Sequence, residues 1–357
     1  MVDAPHISEP PAQPSVPAAA PRRVVLVAGP ERSGTSAMAG ALQALGMGVP
    51  APEVAADETR PKRLAQSQWV LDLHDELLER TNVAMDDARP SAWFDTGRLN
   101  NFEPLRTRVH DWLEEQLVAG GPELVLKDPR LAWFLGQWRS AAMRCQAEVG
   151  HAVLLRPVTE VVGSRQRAHD ARTSEVHRTA AWVNLMLHLE RSTRGQARAF
   201  VRYHDLLDDW TVPVFGLGQR FDLDAVKAAS ANDIRRVHQF IDPSLRRAAL
   251  TWADVDVPTR LRDLAQATWE ALDRLPEDGG DTPEVHATLD GLRAAYADMY
   301  DEAQALTGST TDAARREGAR AAAAAPSAVE RVPHSVRAMV PPSVRRGLRK
   351  VAGRERG

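Results

Sequence analysis

The sequence predicts an α/β fold of three layers, with helices on both faces of a central parallel sheet and a helical C-terminal part. Two observations carry this. Between Arg22 and about Leu306, short β-branched and aliphatic runs alternate with longer stretches of helical period, and the polar motifs of that span fall where the short runs end. Strands separated by helices run parallel and are covered on both faces, and such sheets bind ligands at the carboxyl ends of their strands.

The first strand is "RRVVLVAG" (22–29), a near-continuous apolar run of the kind a fully buried strand shows. A helix follows from about Thr35, with Met38, Leu42 and Leu45 at i, i+4 and i+7, and it stops at Gly46. "ELVLKDPR" (123–130) is the second strand, ended by Pro129. "HAVLLRP" (151–157) is the third, and Pro157 suits the first turn of the helix it feeds. "RAFVRYHDLL" (198–207) is the fourth, and "TLDGLRAAYADMYDEAQAL" (288–306) closes the region as a helix. Residues 1–21 are Pro/Ala-rich without a hydrophobic period, which reads as a disordered lead. Residues 307–357 read as a flexible Ala-rich linker and a basic tail. The functional domain is therefore expected over 22–306.

A chain of 357 residues with 43% apolar content can bury one sizeable core or two modest ones. A net charge of −3 supplies no global basic field for nucleic acid, so no nucleic-acid partner is expected. The single cysteine, Cys145, excludes an intramolecular disulfide framework and a multi-cysteine metal site. The first residues lack the basic and apolar regions of a signal peptide, and no apolar run is long enough to span a bilayer. A cytoplasmic protein is expected. From Asp312 onward 11 basic residues stand against 4 acidic ones, and Val344, Leu348 and Val351 recur at helical spacing among Arg345, Arg346, Arg349 and Lys350. A solvated tail is the plainer reading. Weak contact with an anionic surface at the inner face of the membrane is the rival.

"GPERSGTS" (29–36) carries the chemistry. Gly29 and Gly34 have the spacing of a phosphate-binding loop and Ser36 stands at its hydroxyl position, so the arrangement is P-loop-NTPase-like, yet Thr35 occupies the place of the lysine. The backbone amides of Arg32 to Ser36, opening a helix, form an anion nest. Ser33, Thr35 and Ser36 add hydroxyls and Arg32 a guanidinium. A tight strand-to-helix turn is the bland alternative. Arg156 and Ser164, eight residues apart and flanking a helix start, can hold a second anion, although an arginine there is as often a solvated surface residue. Two anion sites on one sheet suit an adenosine phosphorylated at both 5′ and 3′ positions. Lys127 ends the second strand in a chain where arginine outnumbers lysine about ten to one, which suggests that a compact point charge is wanted near a departing phosphate.

Together these segments resemble the sulfotransferases that use 3′-phosphoadenosine-5′-phosphosulfate (PAPS). "GPERSGTS" resembles their 5′-phosphosulfate loop and "RPVTEVVGS" their 3′-phosphate motif. "LKDPR" resembles the Lys-Asp-Pro segment of the tyrosylprotein branch and of many bacterial members, and "VRYHDLL" the family's Tyr-x-Asp-Leu segment. The resemblance covers roughly residues 22–210. It implies that Arg32, Ser33, Gly34, Thr35 and Ser36 hold the 5′ end, Arg156 and Ser164 the 3′-phosphate, and that Lys127 assists the leaving group. It further implies in-line displacement by an acceptor hydroxyl or amine with no metal, the acceptor being a glycan, glycolipid or small molecule.

The general base expected is Glu58, in "ADETRPK", which resembles the Glu-Thr-Arg segment of the tyrosylprotein branch but lies five residues further from Arg32 than that branch's spacing, at which Glu53 falls; Asp128 and then Glu53 follow it. The sequence departs from many bacterial relatives in "RPKRLAQ", where Arg63 and Gln66 replace their glycine and glutamate, and the C-terminal Arg-Lys-Gly motif of cytosolic members is missing. A P-loop kinase or ATPase is the enzymatic rival, opposed by Thr35 and by a poor acidic metal ligand in "KDPR". A non-catalytic nucleotide- or glycan-binding descendant is the other rival, suggested by Gln66. Core packing is the first reading for Trp182, while "SAWFDTG" (91–97) is the better acceptor-side candidate.

Overall fold

The structure, a computed structural model, describes residues 20–54, 65–166, 174–241 and 250–324. The chain divides into two compact units, Met1–Ala297 and Asp298–Gly357. The first holds the sheet. Its strands are β1 (Arg22–Ala28), β2 (Glu123–Lys127), β3 (Ala147–Leu155) and β4 (Arg198–Arg202), all parallel in the order β2-β1-β3-β4. This is the α/β class the alternation predicts.

Helices α1 (Thr35–Ala44), α2 (Gln68–Thr81), α3 (Ala92–Gly97) and α4 (Glu103–Gly120) lie between β1 and β2, and α5 (Leu135–Arg144) precedes β3. Helices α6 (Val158–Gln166) and α7 (Glu175–Thr193) connect β3 to β4. After β4 come α8 (Tyr203–Asp208), α9 (Thr211–Arg220), α10 (Asp224–Lys227), α11 (Ala231–Phe240), α12 (Thr259–Leu272) and α13 (Pro283–Ala324). Val25, Val27, Val125, Ala152, Leu154 and Val201 form one face of the sheet and pack in a single core with Met38 and Leu42 of α1, Val214 of α9 and Val237 of α11. The alternate residues, Val24, Leu26, Leu124, Leu126 and Val153, are equally buried. Burial on both faces is why the strands read as unbroken apolar runs. Among the described residues no helix is long and apolar enough to cross a membrane.

Three boundaries differ from expectation. β3 begins at Ala147, four residues before the run that marked it. β4 ends at Arg202, and Tyr203–Asp208 is helical because Tyr203, Leu206 and Leu207, at i, i+3 and i+4, turn one buried face inward. The last helix starts at Pro283 and runs to Ala324, so the Ala-rich stretch expected to be a flexible linker after residue 306 is helical for 18 residues more. Proline suits a first helical position, and Ala, Arg and Glu have high helix propensity.

The strand order fixes where a ligand can bind. The chain leaves β1 for β2 on one side, then crosses back to β3 on the other. The order reverses between β1 and β3, and the crevice outside their carboxyl ends is the binding position of an open α/β sheet.

Candidate active site

β1 stops at Ala28 and the loop that follows is folded by three residues of positive φ: Gly29 at 155°, Arg32 at 70° and Gly34 at 97°. A Cβ on Gly34 would stand 2.4 Å from Cδ2 of Tyr203, so only glycine fits there. Gly34 opens α1 with no side-chain cap and no acidic residue in the first turn, which keeps the positive end of the helix for an anion from outside. The Ser33 hydroxyl is wholly buried and has no hydrogen-bond partner among the described residues. A buried hydroxyl without a partner asks for an explanation, and a ligand in the nest supplies one.

Arg156, at the end of β3, is only 6% exposed. Its Nη1 donates to the carbonyl of Arg32 at 2.7 Å, its Nε donates to Glu160 at 2.9 Å, and its guanidinium lies 4.4 Å from the ring centroid of Tyr203. Burial would raise the Glu160 carboxyl, but the bonds from His204 and Arg156 hold it below the usual range. This is not a solvated surface arginine. Its bond to the Arg32 carbonyl also holds the one non-glycine residue of the loop in a left-handed conformation that costs about 1–2 kcal/mol. Two motifs 124 residues apart in sequence thus meet at the switch point between β1 and β3.

The other expected residues fall as follows. Thr35 is buried in the first turn of α1, and Ser36 follows it there. Lys127 is the last residue of β2, paired in register with Val27 and 6% exposed. Ser164 lies on α6, two turns beyond Arg156. Glu58 lies outside the described residues. Glu53 is exposed, and both its oxygens accept from Nε2 of Gln43 at 3.1 Å.

Asp128 has a different place from the one expected. Its Oδ1 accepts from Nδ1 of His74 at 3.0 Å and from the backbone N–H of Arg130 at 2.8 Å. Its Oδ2 accepts from Nε2 of Gln66 at 2.9 Å and from Nη1 of Arg130 at 3.1 Å. The indole of Trp138 donates to Nε2 of His74 at 2.9 Å, which leaves Nδ1 as the protonated ring nitrogen. Burial would raise the Asp128 carboxyl, but the hydrogen bond from His74 and the charge of Arg130 hold it at about 2. A carboxylate with four donors and such a pKa is a poor proton acceptor near neutral pH. Asp128 therefore positions the turn after Lys127 instead of serving as the base. Gln66 is one of its four donors.

Among the described residues His110, Glu114 and Cys145 bring three donor atoms within 4.8 Å of one another. Glu114 is already held by Arg22 at 2.7 Å, and burial pushes the Cys145 thiol up to about 12, so the trio is built as an ion pair beside a protonated thiol. "SAWFDTG" forms α3, where Trp93 is 38% exposed, stacked toward His188 and capped by Arg191.

No family profile matches this chain, and no curated protein matches it. Two solved structures are similar to it. One is a sulfotransferase of Mycobacterium tuberculosis, with a TM-score of 0.38, 14% identity, and 70% of this chain and 77% of that one covered. The other is the sulfotransferase domain of an olefin synthase from Synechococcus, with a TM-score of 0.35, 17% identity, and coverage of 71% and 95%. At such distance the function rests on this chain's own residues.

Proposed function

We propose that this protein transfers a sulfuryl group from PAPS to an acceptor hydroxyl or amine. The observation that carries the reading is the buried Arg156 hydrogen-bonded to the carbonyl of Arg32, which sets an arginine for one anion beside the nest for another. A triphosphate concentrates its charge in one row and calls for a lysine where Thr35 stands. A nucleotide phosphorylated at 5′ and 3′ calls for two anion sites and no such lysine.

In this reading the amides of Arg32 to Ser36, the guanidinium of Arg32 and the hydroxyls of Ser33, Thr35 and Ser36 hold the 5′ end. The unpartnered Ser33 hydroxyl fits that role. Arg156 and Ser164 hold the 3′-phosphate. When bound, the co-substrate supplies an activated sulfuryl group on a phosphate leaving group. Lys127 neutralises the charge that grows on the leaving oxygen, and Glu58 accepts the acceptor's proton. Electrostatic stabilisation of this kind is commonly the largest single contribution to such a transfer.

The test is group transfer itself. The full chain is incubated with PAPS labelled in its sulfuryl group and a panel of glycans, phenols and alcohols, with and without EDTA. Label moving to an acceptor in both conditions supports the reading. Transfer of the γ-phosphoryl group of labelled ATP, with none from PAPS, contradicts it.

A further inference from the structure

The sheet has two edges, and among the described residues the chain closes only one of them. Along β2, Gly48 donates its backbone N–H to the carbonyl of Glu123 at 2.9 Å and accepts from the N–H of Val125 at 2.9 Å. Along β4 no described strand follows. His151 donates its backbone N–H to the carbonyl of Ala197 at 2.9 Å, which sets the phase of the parallel ladder between β3 and β4. Ala199 and Val201 therefore turn their backbone groups to β3, and Arg198 and Phe200 turn theirs outward, where no described residue is bonded to them. An open edge is a template for another chain, and proteins ordinarily cover it.

A groove of about 920 Å³ runs along this edge, and all five residues of β4 line it. Its two walls differ. One is α9, which covers the face to which Val201 points and contributes Val212, 71% exposed, Pro213 and Leu217. The other is the turn after α12, tied to the opposite face by Arg198 to Asp281 and by Arg202 to Glu277, each at 2.6 Å. Six carboxylates line the groove against three guanidiniums. The excess survives those two ion pairs, because Asp205, Asp208, Asp209 and Asp278, all exposed, still outnumber Arg220.

We propose that this edge receives an extended peptide segment of another protein as a fifth strand, its residues alternately apolar and basic. Successive side chains of a strand point to opposite faces, so the apolar residues meet α9 and the basic ones the acidic turn, while the backbone pairs with β4. A second copy of β4 is a poor occupant, since it would bring its own acidic rim against this one. The proposal does not rest on the sulfotransferase reading.

The experiment measures binding to the full chain by fluorescence anisotropy with three fluorescein-labelled octapeptides: alternating arginine and valine, alternating glutamate and valine, and the arginine-valine peptide with its central amides N-methylated. The arginine-valine peptide is expected to bind about tenfold or more tighter than the glutamate-valine one at about 0.1 M salt. N-methylation, which removes the donors of the added strand, is expected to weaken binding about tenfold, the scale of two backbone hydrogen bonds. Asp205→Lys combined with Asp278→Lys is expected to weaken the arginine-valine peptide about tenfold, with the melting temperature of the protein little changed. Absence of arginine-valine binding, equal binding of the acidic peptide, or binding that N-methylation leaves unaltered overturns the proposal. So does a dimer in sedimentation velocity that the arginine-valine peptide dissociates, which gives the edge to a second copy.

Discussion

Lys127 is where residue choice and chemistry meet most sharply. It is one of four lysines in the chain, it ends a strand beside the strand that leads into the loop, and it is buried. Replacing Lys127 with Ala is expected to lower kcat by about 10²-fold or more, the scale of removing one transition-state electrostatic donor. Lys127→Arg should recover only part of this, because a planar fork does not stand in for a point charge. Steady-state kinetics of the two variants check it, and full activity in Lys127→Ala removes the assignment. The loop residues and Arg156 were legible because each belongs to a local strand-turn-helix pattern whose physics is written in about ten consecutive residues. The surroundings of Asp128 were not. His74 and Gln66 reach it from 54 and 62 residues away, and no local pattern announces that a histidine on an amphipathic helix will meet a strand end. A carboxylate in the "LKDPR" segment looks available as a base until its donors are counted.

At the scale of elements, β4 is the strand at the end of the sheet, and its first residue anchors it. Arg198 is 2% exposed; it bonds Asp281 at 2.6 Å and Glu190 of α7 at 3.3 Å, and donates to the Glu190 carbonyl at 2.7 Å. Glu190 is held in turn by Arg194 at 2.6 Å. Removing one partner of a buried ion network leaves uncompensated charge, so Arg198→Ala is expected to cost about 3–5 kcal/mol, read from the urea midpoint. A change within about 0.5 kcal/mol, as for a surface site, contradicts that picture. "RYHDLL" has the composition of a strand or a helix, and what decides is the tertiary burial of Tyr203, Leu206 and Leu207, which a short apolar run does not disclose.

Over the whole molecule, charge burial sets a direction for pH dependence. Burial pushes His151 of β3 down to about 4 and His188 of α7 down to about 4. Each is below its unfolded value of about 6.5, so the unfolded chain binds more protons in between. The stability these residues contribute is present above about pH 6.5 and is lost as the pH falls through 4, at roughly 3 kcal/mol for the buried His151 and less for the half-buried His188. Asp128, held at about 2, adds a further loss between about pH 4 and 2. Urea midpoints taken at pH 7, 5.5 and 4.5 should fall in that order. A flat profile contradicts neutral burial of the two histidines. The layer architecture was legible from the alternation of strand and helix periods, because parallel strands covered on both faces must be apolar throughout. The helix running past residue 306 was not, since alanine-rich sequence supports a helix or a linker and only the neighbouring turns decide between them.

On the proposed function, the two anion motifs brought together at the switch point form one nucleotide site. Melting temperature is the most direct measure, taken with 3′-phosphoadenosine 5′-phosphate, with ADP, and with ATP plus magnesium, each at the same concentration and each repeated in EDTA. A ligand that fills both sites stabilises the native state by mass action more than one that fills a single site. The expected result is a rise with 3′-phosphoadenosine 5′-phosphate well above that with ADP, unchanged by EDTA and lost in Arg156→Ala. An equal or larger rise with ATP and magnesium, abolished by EDTA, contradicts it.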